Sequence, residues 1–335
     1  MTNHFSRHPA QLAWLLALLC FGLFGLSLAL GEVWLNPLGL LMPAGSDTQS
    51  VDAVILREIR LPRAVLAAAI GAVLGLAGAV LQGLLRNPLA EPGLIGVSAT
   101  ASLGAVIAIY SGASALFGLA LPLSALAGAL AAVVLLQLLA GRSGDRLVLI
   151  LAGVAISSLA GALTSLVLNL SDNPFAAMEI VFWLMGSLTD RSLLHVGLAL
   201  PFIVVGVALL LSCQRGLEAL SLGDDVAASL GISLGGLRRR AILGTAIGVG
   251  AATAVSGAIG FVGLIVPHLL RPLVDYRPGR LLWASALGGA AFLLAADCVA
   301  RVILPDRDLK LGVITATLGA PFFLWLLVRL RKDAE

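Results

Sequence analysis

Charged residues are scarce in this chain of 335 residues: Asp, Glu, Lys and Arg make up 12% of it, and 59% of its residues are hydrophobic. Its mean hydropathy is +1.04. Soluble globular domains contain about 25% charged residues, so this composition excludes an ordinary water-soluble protein. Because helices are the usual structures that satisfy the backbone inside lipid, we expect an all-α integral membrane protein, with residues 1–335 forming one transmembrane domain.

The chain also lacks sequence motifs that are typical of enzymes and of nucleotide-binding proteins. The two lysines, Lys310 and Lys332, do not belong to a phosphate-binding loop, because neither follows a G-x-x-x-x-G pattern. The four histidines and three cysteines form neither an H-E-x-x-H nor a C-x-x-C motif. We therefore expect no enzymatic activity, no bound cofactor and no metal site in this chain. A net charge of +3 also fails to indicate a nucleic-acid surface.

Uncharged runs indicate about ten membrane segments, since a helix needs roughly 20 apolar residues to cross the hydrocarbon. The runs are 8–31, 64–85, 92–141, 147–171, 192–214, 241–270, 281–296 and 311–328. The run 92–141 has a polar break at 111–114 and holds two helices, whereas glycines and Pro267 divide 241–270 into a full helix and a short broken one. This topology puts 14 Lys and Arg residues inside and seven outside, so both termini are predicted to be cytoplasmic.

Two glycine-rich stretches, 64–85 and 244–263, each lead into a polar turn that contains proline. Small residues at spacings of three and four let neighbouring helices approach closely in lipid, so we interpret these glycines as packing positions. The predicted topology runs the two stretches in opposite directions. The sequence therefore favours two halves related by inversion, an arrangement found in transporters.

The longest cytoplasmic connection, 215–240, is predicted to form two short helices. Gly223 ends the first, Asp224 and Asp225 suit the N-terminus of the second, and Gly231 suits its C-terminal cap. Apolar residues lie at four positions of this cytosolic segment: Leu220, Leu222, Val226 and Leu230. This pattern favours a protein-docking surface over a helix that lies on the membrane.

Ionisable residues are nearly absent from the predicted spans, and Asp297 is the main exception. It precedes Arg301 by one helical turn, so the two can neutralise each other near the outer end of a helix. Carriers coupled to protons or sodium usually need such groups deep in the membrane. A transporter driven by a partner protein is therefore the leading hypothesis, with an ion-coupled secondary transporter and a structural membrane scaffold as alternatives.

Six motifs, in this order along the chain, make it resemble the FecCD-type permeases over about residues 55–330. The motifs are R-L-P-R at 60–63, G-A-V-L-Q at 78–82, R-N-P-L-A-E-P-G-L-I-G-V at 86–97, L-E-A-L-S-L-G-D at 217–224, G-F-V-G-L-I-V-P-H at 260–268 and G-V-I-T-A-T-L-G-A-P at 312–321. Members of this family are the membrane subunits of bacterial importers for iron-siderophores, haem and vitamin B12 that are driven by ATP-binding-cassette subunits.

The resemblance implies the type II fold of such importers and a location in the bacterial inner membrane. It implies a homodimer with the translocation path at its interface, two cytoplasmic ATPase subunits that bind ATP and Mg²⁺, and one periplasmic binding protein. Transport would proceed by alternating access from periplasm to cytoplasm.

The resemblance also implies roles for individual residues. Arg60, Arg63 and Arg301 match the residues that dock the binding protein. Asn87 and Leu89 match residues of the cytoplasmic gate. The loop at about 215–237 matches the coupling helices that engage the ATPase. Its candidate residues are Glu218, Ala219, Leu222, Gly223, Asp224, Asp225 and Gly231.

The segment 178–188, M-E-I-V-F-W-L-M-G-S-L, resembles the haem-type members most. Haem is flat and largely apolar, so a path lined by Met, Phe and Leu would let it slide without a deep binding minimum. We therefore expect haem as the cargo, with ferric siderophore or vitamin B12 as alternatives. Candidate pathway residues are Met178, Met185, His195 and His268, although ordinary packing is the alternative explanation for both histidines.

Overall fold

A computed structural model describes residues 9–31, 33–37, 51–140, 146–303 and 309–332, and its regular structure in these ranges is entirely helical. The long helices are α1 (Pro9–Ala29), α3 (Leu61–Leu85), α4 (Val97–Tyr110), α6 (Ala120–Ala140), α7 (Arg146–Asn169), α9 (Leu193–Leu211), α12 (Leu234–Ser256), α14 (Pro278–Ile303) and α15 (Leu311–Lys332). The short ones are α2 (Val51–Val54), α5 (Ala113–Leu116), α8 (Pro174–Leu184), α10 (Gln214–Leu220), α11 (Asp224–Ser229) and α13 (Val262–Leu270). A π-helical stretch, Ile55–Arg60, joins α2 to α3, and 3₁₀ turns cover Pro92–Ile95 and Arg271–Val274.

Of the roughly ten predicted membrane segments, seven correspond to described helices that are long and apolar enough to cross a membrane. Helices α4, α8 and α13 belong to shorter apolar segments. Helix α12 has 23 residues, but three arginines lie near its start and it is not among the seven. The eleven-residue helix α8 was not predicted, because Asp172, Glu179 and Asp190 interrupt the hydrophobic pattern around it.

Helix α3 lies at the centre of the bundle, where 78% of its most apolar window is buried, against 22% for α1. Its small residues bring other backbones into direct contact. A Cβ atom added to Gly71 would overlap the carbonyl of Gly289 on α14, and one added to Gly78 would overlap the carbonyl of Gly263 on α13. The glycines of α3 are therefore packing positions, as the sequence predicted.

The break predicted within 241–270 is present. Helix α12 ends at Ser256, where Gly257 adopts a positive φ of 70°, and α13 begins only after Phe261, whose φ is 66°. Phe261 is not a glycine, so this left-handed conformation is strained and is held by the surrounding structure. Five residues without regular helix, 257–261, thus separate a long helix from a short one inside the bundle.

We predict that Gly71→Ala destabilises the protein and Gly22→Ala does not. A Cβ at Gly71 would meet the backbone of α14, whereas one at Gly22 on α1 would meet no atom within 4 Å. Overpacking of this kind costs about 1–3 kcal/mol, so the midpoint of thermal unfolding in detergent should fall for the first variant alone. Equal midpoints for both variants would contradict the close contact between α3 and α14.

Candidate functional site

Arg60 closes the C-terminal end of α1. Its Nη1 donates to the carbonyl oxygens of Leu28 at 3.0 Å and Ala29 at 2.6 Å, and its Nη2 donates to that of Val33 at 2.6 Å. The last carbonyls of a helix lack partners within it and carry a partial negative charge, so a guanidinium group there is stabilising. The side chain is consequently buried, with 6% of the residue exposed.

Asp297 on α14 joins two further arginines to the same region. Its Oδ1 accepts from Nε of Arg63 at 2.9 Å, and its fully buried carboxylate also pairs with Nη2 of Arg301. Nη1 of Arg301 donates to the carbonyl of Ser27 at 2.8 Å, so this arginine too contacts the end of α1. The sequence expected the pair of Asp297 and Arg301, whereas the third member, Arg63, comes from α3.

The three arginines expected to dock a binding protein thus have intramolecular partners. Their exposure is small: 6% of Arg60, and 18% and 10% of the side chains of Arg63 and Arg301. Their contacts fix α1 to α3 and α14. A docking role remains a prediction, and it would have to use the few guanidinium atoms that reach the surface.

The connection between α9 and α12 forms the two predicted short helices, α10 and α11. Gly223, with a φ of 120°, precedes α11, and Asp224 and Asp225 lie in its first turn. At its end, Gly231 has a φ of 79° and donates to the carbonyl of Ala228, while Ile232 donates to that of Ala227. These two bonds form the C-terminal motif that glycine favours.

Helix α11 and the turn before it expose an apolar surface. Leu222, Val226 and Leu230 are 66%, 42% and 61% exposed, and Glu218 on α10 is also exposed. Leu220 does not belong to this surface, because it is 3% exposed and packs into the core. Ala219, another expected coupling residue, is also buried at 8%. We call Glu218, Leu222, Val226 and Leu230 the coupling surface.

Arg86 links this connection to α3, and the sequence reasoning missed it. Its backbone ends α3 in a left-handed conformation with a φ of 49°. Its Nη2 donates to the carbonyl oxygen of Leu220 at 2.5 Å and lies 2.9 Å from Oδ1 of Asp224. In the sequence, Arg86 and Asp224 are opposite charges at two predicted cytoplasmic turns. The sequence alone could not show that these two turns are in contact.

The residues expected at the gate form a compact turn directly after Arg86. Asn87 Oδ1 accepts a hydrogen bond from the backbone N–H of Leu89 at 2.9 Å, and its carbonyl accepts from Ala90 at 3.1 Å. Such a bond from the side chain to the backbone stabilises a tight turn locally. Asn87 and Leu89 are half-buried. The turn therefore follows α3 directly and is held by its own hydrogen bonds.

Two polar side chains beside this turn hold the broken helix α13. Nε2 of Gln82 donates to the carbonyl of Gly263 at 3.1 Å, and its Oε1 accepts from Nη2 of Arg271 at 2.5 Å. Glu91 Oε2 accepts from the backbone N–H of Phe261 at 3.2 Å, at the N-terminus of α13. Burial raises the pKa of the Glu91 carboxyl, and the hydrogen bond from Phe261 opposes that shift.

The four candidate pathway residues do not form one site. Met185 lines a cavity of about 520 Å³ together with Phe261 and the start of α15. His195 lines a different cavity of about 240 Å³. His268 packs edge-on against Phe322, with ring centroids 5.7 Å apart, and Met178 is 55% exposed on α8. Within the described residues, no cluster of three His, Cys, Asp or Glu residues could hold a metal ion.

Comparison with known proteins gives a family match over nearly the whole chain. A profile of the FecCD transport family matches residues 16–329. The permease protein BtuC of the vitamin B12 import system of Vibrio cholerae is 41% identical over 333 residues, covering 98% of this chain and 97% of the relative. FecD, the permease of the Fe(3+) dicitrate transport system of Escherichia coli K12, is 42% identical over 277 residues, covering 83% and 86%.

A Bacillus subtilis relative and two solved structures extend this likeness. YvrB, an uncharacterized ABC transporter permease protein, is 42% identical over 296 residues, covering 87% of this chain and 83% of the relative. A metal-chelate type ABC transporter in an inward-facing conformation superposes with a TM-score of 0.85 at 34% identity, covering 96% of this chain and 99% of that one. PsaBC of Streptococcus pneumoniae shares the fold, with a TM-score of 0.54 at 17% identity over 78% of this chain and 88% of that one.

We predict that Glu91→Ala lowers the midpoint of thermal unfolding and that Glu91→Gln does not. An amide oxygen can still accept from the Phe261 N–H, whereas alanine leaves this donor without its partner. A raised pKa means that the native state holds the proton more tightly than the unfolded state. The wild type should therefore lose stability as pH rises from the unfolded pKa of about 4.3 through the higher native pKa, and Glu91→Gln should lack this loss.

The matched control for this prediction is Glu58→Gln, which neutralises an exposed carboxylate in the π-helical stretch. It should leave the midpoint unchanged. A Glu91→Gln variant as unstable as Glu91→Ala at every pH would refute a capping role for the carboxylate oxygen.

Proposed function

The chain belongs to the FecCD transport family, and we propose that it is the permease subunit of an ATP-driven importer in the bacterial inner membrane. The proposal includes a homodimer, cytoplasmic termini and alternating access from periplasm to cytoplasm at the dimer interface. The surface of the chain supports a dimer, since only 28% of the most apolar window of α7 and 33% of that of α15 are buried within it. Lipid and a second copy would share this large apolar surface.

The observation that carries the proposal is the coupling surface together with its attachment to α3. Three exposed apolar side chains on and beside the short helix α11 are costly in water and favour burial against a protein. We assign that partner as an ATPase subunit, with two per dimer supplying the bound ATP and Mg²⁺. Asp225 and Gly231, together with Gly223, would set the shape and charge of the helix that enters the ATPase.

Arg86 is the residue through which movement of the coupling surface would reach the gate. It contacts Leu220 and Asp224 on one side, and it is covalently continuous with α3 and with the turn of Asn87 and Leu89 on the other. A displaced α11 would therefore pull on the end of α3 at the turn. We regard Arg86 as a positioning residue, since it acts through the gate rather than on the cargo.

A periplasmic binding protein would dock at the outer ends of α3 and α14. Arg63 is the most accessible of the three expected arginines, with 18% of its side chain exposed, so it is the best candidate for contact with an acidic residue of that protein. Arg60 and Arg301 would contribute mainly by holding the end of α1 in place. Charge at this rim would steer the encounter and fix the orientation of the bound protein.

We propose a metal chelate as the cargo, and haem as the specific case. The cavity of about 520 Å³ is walled mainly by apolar side chains, including Leu184, Met185, Phe261 and Val313. Such a wall suits a flat apolar molecule that must leave again. The relatives are named for vitamin B12 and ferric dicitrate, so these two chelates are the competing cargoes.

The test reconstitutes the full chain in liposomes with its ATPase and its binding protein. We expect ATP-dependent uptake of haem that is absent when the ATPase is omitted, because the chain carries no P-loop motif of its own. Uptake by the chain alone, driven by a proton gradient, would contradict the importer proposal and favour the secondary transporter.

The same vesicles identify the cargo when haem, ferric dicitrate and vitamin B12 are offered in turn. Faster uptake of vitamin B12 or ferric dicitrate than of haem would refute haem as the cargo and leave the importer proposal intact. As a control, the binding of each chelate to the isolated binding protein is measured. This distinguishes a chelate that fails to bind that protein from one that binds it but does not pass through the permease.

A further inference from the structure

A cavity of about 240 Å³ opens near the outer end of α9, apart from the larger apolar cavity. It is too small for a bulky chelate, since sites for drug-sized ligands span about 300–1,000 Å³. Polar and apolar groups both line it. The lining residues are Ser114, Ala115, Gly118, Leu121, Pro122, Glu179, Arg191, His195 and Ala254.

Arg191 is the unusual member of this lining. Its Nε atom is fully buried and has no hydrogen-bond partner among the described residues. Glu179 lines the same cavity, yet the ion pairs of the described residues do not join it to Arg191. Burial lowers the pKa of the Arg191 guanidinium in the loop before α9, and the neighbouring charge of Asp190 partly opposes that shift. Neither Asp190 nor Glu179 forms an ion pair with Arg191 among the described residues, so no carboxylate lies in direct contact with this guanidinium.

His195 can supply a second donor. Its Nδ1 accepts a hydrogen bond from the backbone N–H of Ser192 at 3.2 Å and lies 3.1 Å from the Ser192 hydroxyl. A ring nitrogen that accepts from a backbone N–H carries no proton in the neutral imidazole, so the proton resides on Nε2. The cavity lining therefore combines the donors of Arg191 and His195 with one carboxylate, that of Glu179.

Large apolar side chains on the same elements are exposed. Leu116 and Phe117 follow Ser114, Phe175 precedes Glu179 on α8, and Leu194 precedes His195 on α9. Their exposures are 90%, 53%, 80% and 60% in that order. In a membrane-spanning chain, apolar side chains next to a polar cavity at a helix end are positioned for acyl chains below a headgroup.

We propose that this cavity binds the headgroup of a zwitterionic phospholipid, with its phosphate at Arg191 and His195 and its ammonium group at Glu179. The phosphate would supply the direct contact that the buried Nε of Arg191 lacks, and charge-assisted bonds of this kind are among the strongest available to a protein. The ammonium group explains why a carboxylate lines the same cavity. The inference concerns lipid binding at the outer surface and does not rest on the cargo or on the ATPase.

The test is native mass spectrometry of the purified full chain with equal concentrations of dihexanoyl phosphatidylethanolamine or dihexanoyl phosphatidylglycerol. We expect the ethanolamine lipid to bind about tenfold more tightly, since only its headgroup carries an ammonium group for Glu179. Arg191→Gln should weaken both lipids by about tenfold, because it removes the cation for the phosphate they share. Glu179→Gln should weaken only the ethanolamine lipid, and the preference between the lipids should disappear.

The matched controls are Arg57→Gln and Glu58→Gln, which remove the same charges from the π-helical stretch outside the cavity. Both should bind each lipid as the wild type does. Unchanged binding by Arg191→Gln would overturn the proposal, as would an ethanolamine preference that survives Glu179→Gln. Free phosphoethanolamine, which has the headgroup but no acyl chains, is tested as a competitor. If it competed as strongly as the lipid does, the acyl chains would contribute nothing and the assignment to a lipid would be overturned.

Discussion

Direct backbone contact between α3 and its neighbours is the constraint on which the other features depend. Gly71 and Gly289 touch across α3 and α14, and Gly78 touches Gly263 on α13. Without side chains between them, these helices cannot slide or rotate independently at low cost, because interiors packed this closely have few alternative arrangements. Helix α3 therefore behaves as a stiff element that connects the two ends of the bundle.

Polar groups are concentrated at the two ends of this stiff element. At its N-terminal end, Arg63 joins Asp297, and the same cluster holds the C-terminus of α1. At its C-terminal end, Gln82 holds α13, and Arg86 holds the connection that bears the coupling surface. In the proposed importer, ATPase movement would act at one end and the binding protein at the other. In that proposal, the shared element α3 would give both partners a physical route to the gate.

The sequence predicted features that depend on local rules and missed those that depend on distant pairing. Asp224 and Asp225 begin α11 and Gly231 follows its end as expected, because helix caps are encoded within a few residues. The prediction that Gly223 ends the first short helix was wrong, because α10 already ends at Leu220 and Gly223 precedes α11. The inward contacts of Arg60 were not predictable, since its partners lie on α1 about thirty residues earlier. Helix α8 was not predicted because membrane segments were identified as uncharged runs, and α8 contains the charged residue Glu179.

The central claim is that Arg86 transmits movement of α11 to α3, and a charge swap tests it most directly. The measured quantity is cargo imported per ATP hydrolysed by the reconstituted complex. We expect Arg86→Asp and Asp224→Arg each to lower this ratio, and the double variant to recover part of it because the ion pair is restored in reverse. Arg215→Asp, an exposed cation of the same connection, serves as the control. A ratio unchanged in Arg86→Asp, or no recovery in the double variant, would contradict the claim.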